Sequence, residues 1–168
     1  MSSLPPVVPQ WDHPAWKDVP EFSLLRNEPE PRPSRFPAQI KWMHDGRKLA
    51  LLLRVDEPDP VVARNGGRDS NVTNDDHFAI YLATSGSAYL EIAVNSVGAL
   101  RDARATGPRY QRSTSWNANI EVITDIRYQH WIARIDIPLA ECAAALGETG
   151  IPADWRVVLV DRKSTRLN

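Results

Sequence analysis

The sequence has a single cysteine, no long apolar run and almost no net charge, and each of these absences excludes a class of protein. One cysteine, Cys142, rules out an internal disulfide framework. Twenty basic residues against 21 acidic residues leave a net charge of −1, which gives no general attraction to nucleic acid or to an anionic membrane. No run of apolar residues approaches the length of a membrane span. The sequence therefore predicts neither a nucleic-acid partner nor a membrane partner.

Known catalytic motifs are also missing. The chain contains no phosphate-binding loop, dinucleotide-binding loop, serine-hydrolase elbow or Cys-x-x-Cys pair. Cys142 lies in the apolar run Leu139–Leu146, where a buried structural thiol is more common than a nucleophile. A chain of 168 residues with 42% hydrophobic content can bury the core of one ordinary domain. These observations favour a single domain that is not an enzyme.

The stretch from residue 68 to residue 104 is the most informative part of the sequence, because an acidic loop leads there into a meander of strands. Apolar side chains alternate with polar or small ones at the period of half-buried strands, first at Phe78, Ile80 and Leu82 and then at Leu90, Ile92 and Val94. Ser85–Ser87 and Asn95–Gly98 supply the turns, and a third strand follows from Ala99 to Ala105. The pattern predicts three consecutive antiparallel strands.

Further strands and one helix are predicted on both sides of this meander. Two hairpins pair residues 38–43 with 49–55, through an Asp-Gly turn, and 119–126 with 131–137. A short helix opens at Pro138 and ends before Gly147, and a last strand spans 154–160. The sequence thus predicts an all-β fold, an antiparallel β-sandwich of jelly-roll or immunoglobulin-like form, with one short helix that closes one end.

The chain divides into three parts. Residues 1–37 are rich in proline and are predicted to pack on or lead into the sandwich, which spans residues 38–160. The last eight residues, 161–168, back-translate to GATCGGAAGAGCACACGTCTGAAC, which resembles the adapter used in short-read sequencing libraries. We therefore expect a non-native tail, and a native chain that continues past Val160.

Five segments resemble, in this order, carbohydrate-binding module family 9 and its relatives: DEPDP, RDSNVTNDDHFAIYL, YLEIAVNSVGALRDAR, HWIARIDIPLAEC and ADWRVVLVDR. The resemblance covers residues 10–160. It implies non-catalytic binding of a polysaccharide such as xylan, by a bacterial module associated with glycoside hydrolysis and carbohydrate catabolism, with a fusion partner domain. It also implies a secreted or periplasmic location, although residues 1–6 show neither the basic nor the apolar region of a secretory signal.

The resemblance also implies a location for the sugar site. Sugar-binding modules need an aromatic ring that stacks on a pyranose and planar polar groups that hold its hydroxyls. The stacking Trp of the family falls on Thr73 and its hydroxyl-binding Glu on Ala79, so both groups are absent, while its arginine falls on Arg101, with Arg104 as the near alternative. The predicted site is therefore a shifted one, made of Arg101, Asn95, Asp75, Asp76 and Trp116, with Tyr110 as an alternative ring. A surface ion pair is the competing interpretation of Arg101.

Other roles were considered for the acidic residues. Asp75 and Asp76 cannot flank one glycosidic bond, because neighbours in an extended strand point to opposite faces. Asp76 is instead expected to accept backbone N–H bonds that shape the loop. Oxygen-rich loops suit a structural calcium ion, and the candidate ligands are Asp56, Asp59 and Asp69, with Glu57 and Asp75 nearby.

Two alternatives come from outside carbohydrate binding. Met43 with His77 or His130 could imitate the axial ligands of haem-binding sandwiches. The main alternative function is a structural or protein-interaction sandwich that has lost its sugar site, which the residues Thr73 and Ala79 favour. Trp11 and Trp16, in the proline-rich segment, are expected to be packing plugs at one end of the sandwich, with a ligand platform as the competing interpretation.

Overall fold

The computed structural model describes residues 4–25, 36–57, 61, 63–106 and 111–162. Asp59, Tyr110, the proline-rich stretch 28–33 and residues 163–168 lie outside the described residues. Within them, one α-helix and ten strands form: β1 (Glu21–Ser23), β2 (Ala38–His44), β3 (Lys48–Asp56), β4 (His77–Ala83), β5 (Tyr89–Asn95), β6 (Leu100–Thr106), β7 (Gln111–Ser113), β8 (Glu121–Arg127), β9 (His130–Pro138), α1 (Leu139–Ala145) and β10 (Arg156–Arg162).

The strands form two five-stranded antiparallel sheets. Sheet I has the order β1-β2-β3-β9-β8, and sheet II has the order β10-β4-β5-β6-β7. The predicted hairpins are present as β2–β3 and β8–β9, and the predicted meander is β4–β5–β6. The prediction of an all-β antiparallel sandwich with one short helix is therefore confirmed.

The core lies between the sheets and is built from the alternating apolar positions of the central strands. These positions are almost fully buried, since their side chains point to the inner face while their neighbours point outwards. They form one cluster that includes Leu49, Leu51, Leu53 and Val55 of β3, Phe78, Ile80 and Leu82 of β4, Leu90, Ile92 and Val94 of β5, and Trp131, Ala133, Ile135 and Ile137 of β9. Burial of this surface fixes the register of every central strand, because a shift by one residue would expose the whole set.

The β2–β3 hairpin closes through Asp45 and Gly46, as the Asp-Gly pair predicted. Asp45 Oδ1 accepts hydrogen bonds from the backbone N–H groups of Arg47 and Lys48, each at 2.8 Å. Gly46 has a φ of 84°, which a side chain would strain. The bonds from the Lys48 and Arg47 amides lower the pKa of Asp45, so the charged carboxylate is the form that holds the turn.

The N-terminal segment covers the outer face of sheet I. Trp16 is fully buried there, and it packs with Ala50 and Leu52 of β3 and Ile132 of β9. This explains why β3 carries apolar side chains on both faces. Trp16 was expected to plug one end of the sandwich, but it packs against the outer face of sheet I, because the outer positions of β3 and β9 offer the apolar surface.

Helix α1 closes one end of the sandwich, as expected. Leu139 and Cys142 on its inner side belong to the core cluster. The helix ends at Ala145, and Gly147 follows with a φ of 86°, which allows the backbone N–H of Glu148 to reach the Ala143 carbonyl at 3.0 Å. Among the described residues, no helix has the length and apolar character that crossing a membrane requires.

Two short edge strands, β1 and β7, were not predicted. Each has three residues, which is too few for a period-two pattern to show. Strand β10 extends to Arg162, two residues into the predicted non-native tail, and pairs with β4 along its whole length. Such pairing is made by backbone groups, so it places few demands on side-chain identity.

Candidate functional site

The acidic loop before β4 is held together by the buried carboxylate of Asp75. Its Oδ2 accepts hydrogen bonds from the backbone amides of Arg64 (3.2 Å) and Asn65 (3.0 Å) and from Asn95 Nδ2 (2.9 Å), while Oδ1 accepts one from Asn65 Nδ2 (3.0 Å). Burial acts to raise the pKa of Asp75, but these four bonds outweigh it and the pKa is lowered. Asp75 is thus an ionised residue that organises the loop.

Asn95 and the neighbours of Asp75 are also engaged in this loop. Asn95 Nδ2 donates to the Asn65 carbonyl at 2.8 Å, and its Oδ1 accepts from the Ala99 amide at 2.9 Å. Asp76 is 8% exposed, and His77 Nδ1 lies 2.9 Å from the Asp75 carbonyl oxygen. The structure therefore brings Asp75 and Asn95 together, as the sequence suggested, but their polar atoms face each other and the loop backbone.

A second polar link ties this loop to sheet II. Arg68 Nη2 lies 2.6 Å from Asp102 Oδ2 and 2.8 Å from the Ala118 carbonyl, and the Ala118 amide donates to the same Asp102 oxygen at 2.9 Å. Asp102 is fully buried on the inner face of β6. Burial raises its pKa despite the Ala118 amide and the Arg68 charge.

Unlike Asp102, which faces the core, Arg101 points to the outer face of sheet II. Residues that pair directly across strands share a face, so Arg101 is grouped with Ala93, Glu91 with Ala103 and Tyr81, and Arg112 with Ala105 and Tyr89. We call the resulting set, Tyr81, Tyr89, Glu91, Arg101 and Arg112, the tyrosine–arginine patch. The alanines between these large side chains, Ala93, Ala103 and Ala105, are at most 1% exposed, so a ligand would rest on the outer parts of the large side chains.

Glu91 is the centre of the patch. Its side chain is 5% exposed and pairs with two arginines: Arg101 Nη1 lies 3.6 Å from Oε1, and Arg112 Nε lies 2.8 Å from Oε2. The side chains of Arg101 and Arg112 remain 22% and 47% exposed. One carboxylate thus anchors two guanidinium groups whose outer parts stay open to solvent.

Two half-buried tyrosines complete the patch. The rings of Tyr81 and Tyr89 meet edge to face, with centroids 6.0 Å apart and an interplanar angle of 60°. A hydrogen bond with the Tyr89 side chain, together with the Glu91 charge, raises the pKa of Arg112. Aromatic surface and planar donors therefore lie side by side on this face.

The remaining predicted site residues lie elsewhere. Trp116 packs against the core cluster, so the sheet separates it from Arg101. Arg104 points to the inner face of sheet II, opposite Leu90. Thr73 is exposed in a 3₁₀ turn that packs over β5 through Val72.

The residues proposed for metal or haem are also separate. Asp56 pairs with Arg54 at 3.3 Å, and Asp69 is exposed with a φ of 55°. In the described ranges, no three His, Cys, Asp or Glu side chains gather as a metal site would require. Met43 packs on the outer face of sheet I, whereas His77 lies on the outer face of sheet II. His130 pairs with Asp56 of β3, six positions from Ala50, the partner of Met43.

Two concavities occur away from the patch. A cleft of about 570 Å³ opens between the sheets beside α1 and is mostly apolar, with Trp42 and Trp155 in its walls. A shallower groove of about 410 Å³ lies between the N-terminal segment and sheet I, with Trp11, Arg54 and Arg127 among its lining residues. Lys41 Nζ stands 4.7 Å from the Trp11 ring centroid, so a cation already contacts this ring.

Sequence reasoning found Arg101 but missed its neighbours. Tyr81, Tyr89 and Glu91 alternate with the core residues of β4 and β5, and that alternation was a usable signal for one shared outer face. Arg112 gave no such signal, because β7 has three residues and pairs at the edge of the sheet.

Comparison with known proteins supports the fold. The chain matches no family model and no curated protein. Among solved structures it is similar to a candidate carbohydrate-binding protein from Bacteroides uniformis, with 15% identity, a TM-score of 0.65 and coverage of 87% of this chain and 72% of that one. It is also similar to a family 9 carbohydrate-binding module from Caldicellulosiruptor kristjanssonii in complex with cellotriose, with 14% identity, a TM-score of 0.63 and coverage of 96% and 74%.

A family 9 carbohydrate-binding module from the same organism in complex with glucose matches with 15% identity, a TM-score of 0.59 and coverage of 97% of this chain and 76% of that one. At these identities the likeness establishes the fold. The resemblance to family 9 modules that five sequence segments indicated is therefore confirmed as a resemblance of architecture.

Proposed function

We propose that this protein binds carbohydrate without transforming it, and that the tyrosine–arginine patch is the binding surface. The observation that carries the proposal is the pairing of Arg101 and Arg112 with one buried carboxylate, beside two half-buried tyrosine rings on the outer face of sheet II. Rings stack on the C–H face of a pyranose, and guanidinium groups donate in a planar fork to its oxygens. The modules of similar fold that hold cellotriose and glucose add support.

The geometry favours binding over catalysis. Glycoside hydrolysis needs two carboxyl groups on either side of the scissile bond. In the patch, Glu91 is committed to two arginines, and on the neighbouring loop Asp75 is committed to four hydrogen bonds. We further propose that the protein serves as a polysaccharide-binding module associated with a glycoside hydrolase.

The patch is displaced from the usual position of a family 9 site. Ala79, which takes the place of the family's carboxylate, is 1% exposed, and Thr73 has no ring. The open side chains lie instead towards β6 and β7. A ligand would therefore rest on the strands on that side of the sheet.

The second candidate function is a structural or protein-interaction sandwich. The specific observation in its favour is that Glu91 and Asp75 have internal partners, as they would in a scaffold that has lost its ligand. The two functions differ in one outcome, which is whether any glycan binds at the patch.

Isothermal titration with glucose, cellobiose, xylobiose and soluble xylan tests the proposal. We expect an exothermic signal that Arg101→Ala and Tyr81→Ala each weaken by about tenfold or more, because a charge-assisted hydrogen bond or a stacking ring is lost. Arg47→Ala, on the exposed β2–β3 turn, is the matched control and should bind like the wild type.

Arg127→Ala tests whether the groove on sheet I is the carbohydrate-binding site instead of the patch. If Arg127→Ala abolishes binding and Arg101→Ala does not, the site lies in that groove and the patch assignment is wrong. Absence of heat with every glycan, from a protein that unfolds cooperatively, would reject carbohydrate binding and leave the scaffold function.

A further inference from the structure

We propose that the carbohydrate bound at the tyrosine–arginine patch carries a carboxylate, so that the preferred ligand is a saccharide containing a uronic acid. This inference rests on the proposed carbohydrate-binding function and adds the chemical class of the sugar.

The charge balance of the patch is the first observation. Two guanidinium groups share one carboxylate, so the cluster of Arg101, Arg112 and Glu91 carries one positive charge in excess. A neutral sugar does not need this excess, because hydroxyls are held equally well by a balanced pair. An anionic group on the ligand would complete the cluster with a second carboxylate.

The charge of the surrounding face is the second observation. The outward positions of the described strands of sheet II also include Arg156 of β10, which pairs with Ala83 and is exposed. Among those strand positions Glu91 is the only acidic residue, and it is 5% exposed. The chain as a whole has a net charge of −1, so this face is more basic than the average surface.

The shape of the available donors is the third observation. Arg112 pairs with Glu91 through Nε, and 47% of its side chain is open to solvent. A guanidinium group presents its nitrogens in a planar fork that matches the two oxygens of a carboxylate. The Tyr81 and Tyr89 rings lie beside it and can support the attached pyranose. This combination fits an acidic sugar better than a small inorganic anion, which would not use the rings.

Titration with a matched pair of ligands tests the inference. The acidic ligand is a xylo-oligosaccharide that bears one glucuronic acid, and its partner is the same molecule after reduction of the uronate to a neutral hexose. We expect the acidic form to bind about tenfold tighter at low ionic strength. The ratio of the two affinities should fall as sodium chloride is added, because salt screens the exposed charges.

Three variants test whether Arg112 causes the preference for the acidic ligand. Arg112→Gln should reduce affinity for the acidic ligand by about tenfold more than affinity for the neutral one, so the ratio approaches one. Arg112→Lys keeps the charge and should keep part of the ratio, and Arg47→Ala should keep all of it. Since the ratio compares two ligands on the same protein, a general loss of folding does not alter it.

Four outcomes would overturn the inference. Equal affinity for the acidic and neutral ligands would reject the preference for a uronate and leave the proposed function in place. If the ratio of the two affinities is unchanged in Arg112→Gln, the preference is a nonspecific charge effect. The same conclusion follows if acetate and phosphate compete equally well with the acidic ligand at the same ionic strength. Failure of both ligands and of every neutral glycan to bind the folded protein rejects the proposed function itself.

Discussion

The indole ring of Trp16 lies on the guanidinium group of Arg134, with Cζ 4.8 Å from the ring centroid. Both side chains are fully buried, and Arg134 also contacts the carboxylate of Asp136. Nη1 and Nη2 of Arg134 have no hydrogen-bond partner in the described part of the chain, so the aromatic ring adds to the stabilisation that the Asp136 carboxylate gives to its charge. The contact fastens the N-terminal segment to sheet I.

We therefore expect Trp16→Ala to lower the free energy of unfolding by about 3–5 kcal/mol, since a large buried ring is lost and a buried cation is uncovered. Urea unfolding measures this loss. Tyr128→Ala is the matched control, because that ring is 73% exposed and its removal should cost less than about 0.5 kcal/mol. A similar cost for both variants would show that the segment does not pack on the sheet.

The Asp75 network predicts a specific sensitivity to acid. Because hydrogen bonds from Asn65, Asn95 and Arg64 hold the folded pKa below the ordinary value of 3.8, the stabilisation is complete above that value and is lost as the pH falls through the folded pKa. Asp75→Asn should cost about 1–3 kcal/mol near neutral pH, because donors would then face an amide.

The difference between Asp75→Asn and the wild type should shrink on acidification, as measured by urea unfolding at a series of pH values. Thr73→Ala, an exposed change in the same loop, should follow the wild-type curve. A constant difference at every pH would mean that Asp75 acts through packing and its charge is unimportant.

The Arg68–Asp102 pair predicts a loss of stability when a buried carboxylate loses its charged partner. Arg68→Ala leaves the buried Asp102 carboxylate with the Ala118 amide as its remaining hydrogen-bond donor, and we expect a loss of about 2 kcal/mol near neutral pH. The loss should diminish as acid protonates Asp102, because burial has already raised its pKa. Arg127→Ala breaks an exposed pair with Asp125 and should cost less than about 1 kcal/mol. Equal effects of the two variants would contradict this account.

Cys142 should be chemically inert in the folded protein. Burial, with a smaller contribution from the charges of Glu141 and Asp102, raises the pKa of its thiol to about 12. A disulfide reagent should therefore label Cys142 at a negligible rate under native conditions and fully in guanidinium chloride. Fast labelling of the native protein would mean that α1 opens readily and does not close the sandwich firmly.

The strands show how far sequence reasoning reached. The alternation of Leu49, Leu51, Leu53 and Val55 was sufficient to place β3, because a strand with a buried inner face has a period of two. The Asp45–Gly46 turn was equally clear, since few residue pairs tolerate its backbone geometry. Strands of three residues were missed, because nothing repeats within them.

The candidate site was predicted in part, for a different reason. Arg101 was placed in the site by a resemblance to the arginine of the family, Asn95 was added because it lies close to Arg101 in the sequence, and Asp75 was taken from the acidic loop before the meander. Their separate roles depend on direction: Asp75 Oδ2 points to Asn95 and the loop amides, while Arg101 points along the outer face towards Glu91. The distance between two residues along the sequence does not tell which way their side chains point.

By itself the sequence determined the class of fold, most strand positions and the helix, because these follow from periodicity and turn chemistry over a few neighbouring residues. Only the tertiary structure decided that Arg112 meets Glu91 from a separate edge strand and that Trp16 covers Arg134. Such contacts join residues that are distant in the chain, and they depend on the order and register of the strands, which local patterns leave open.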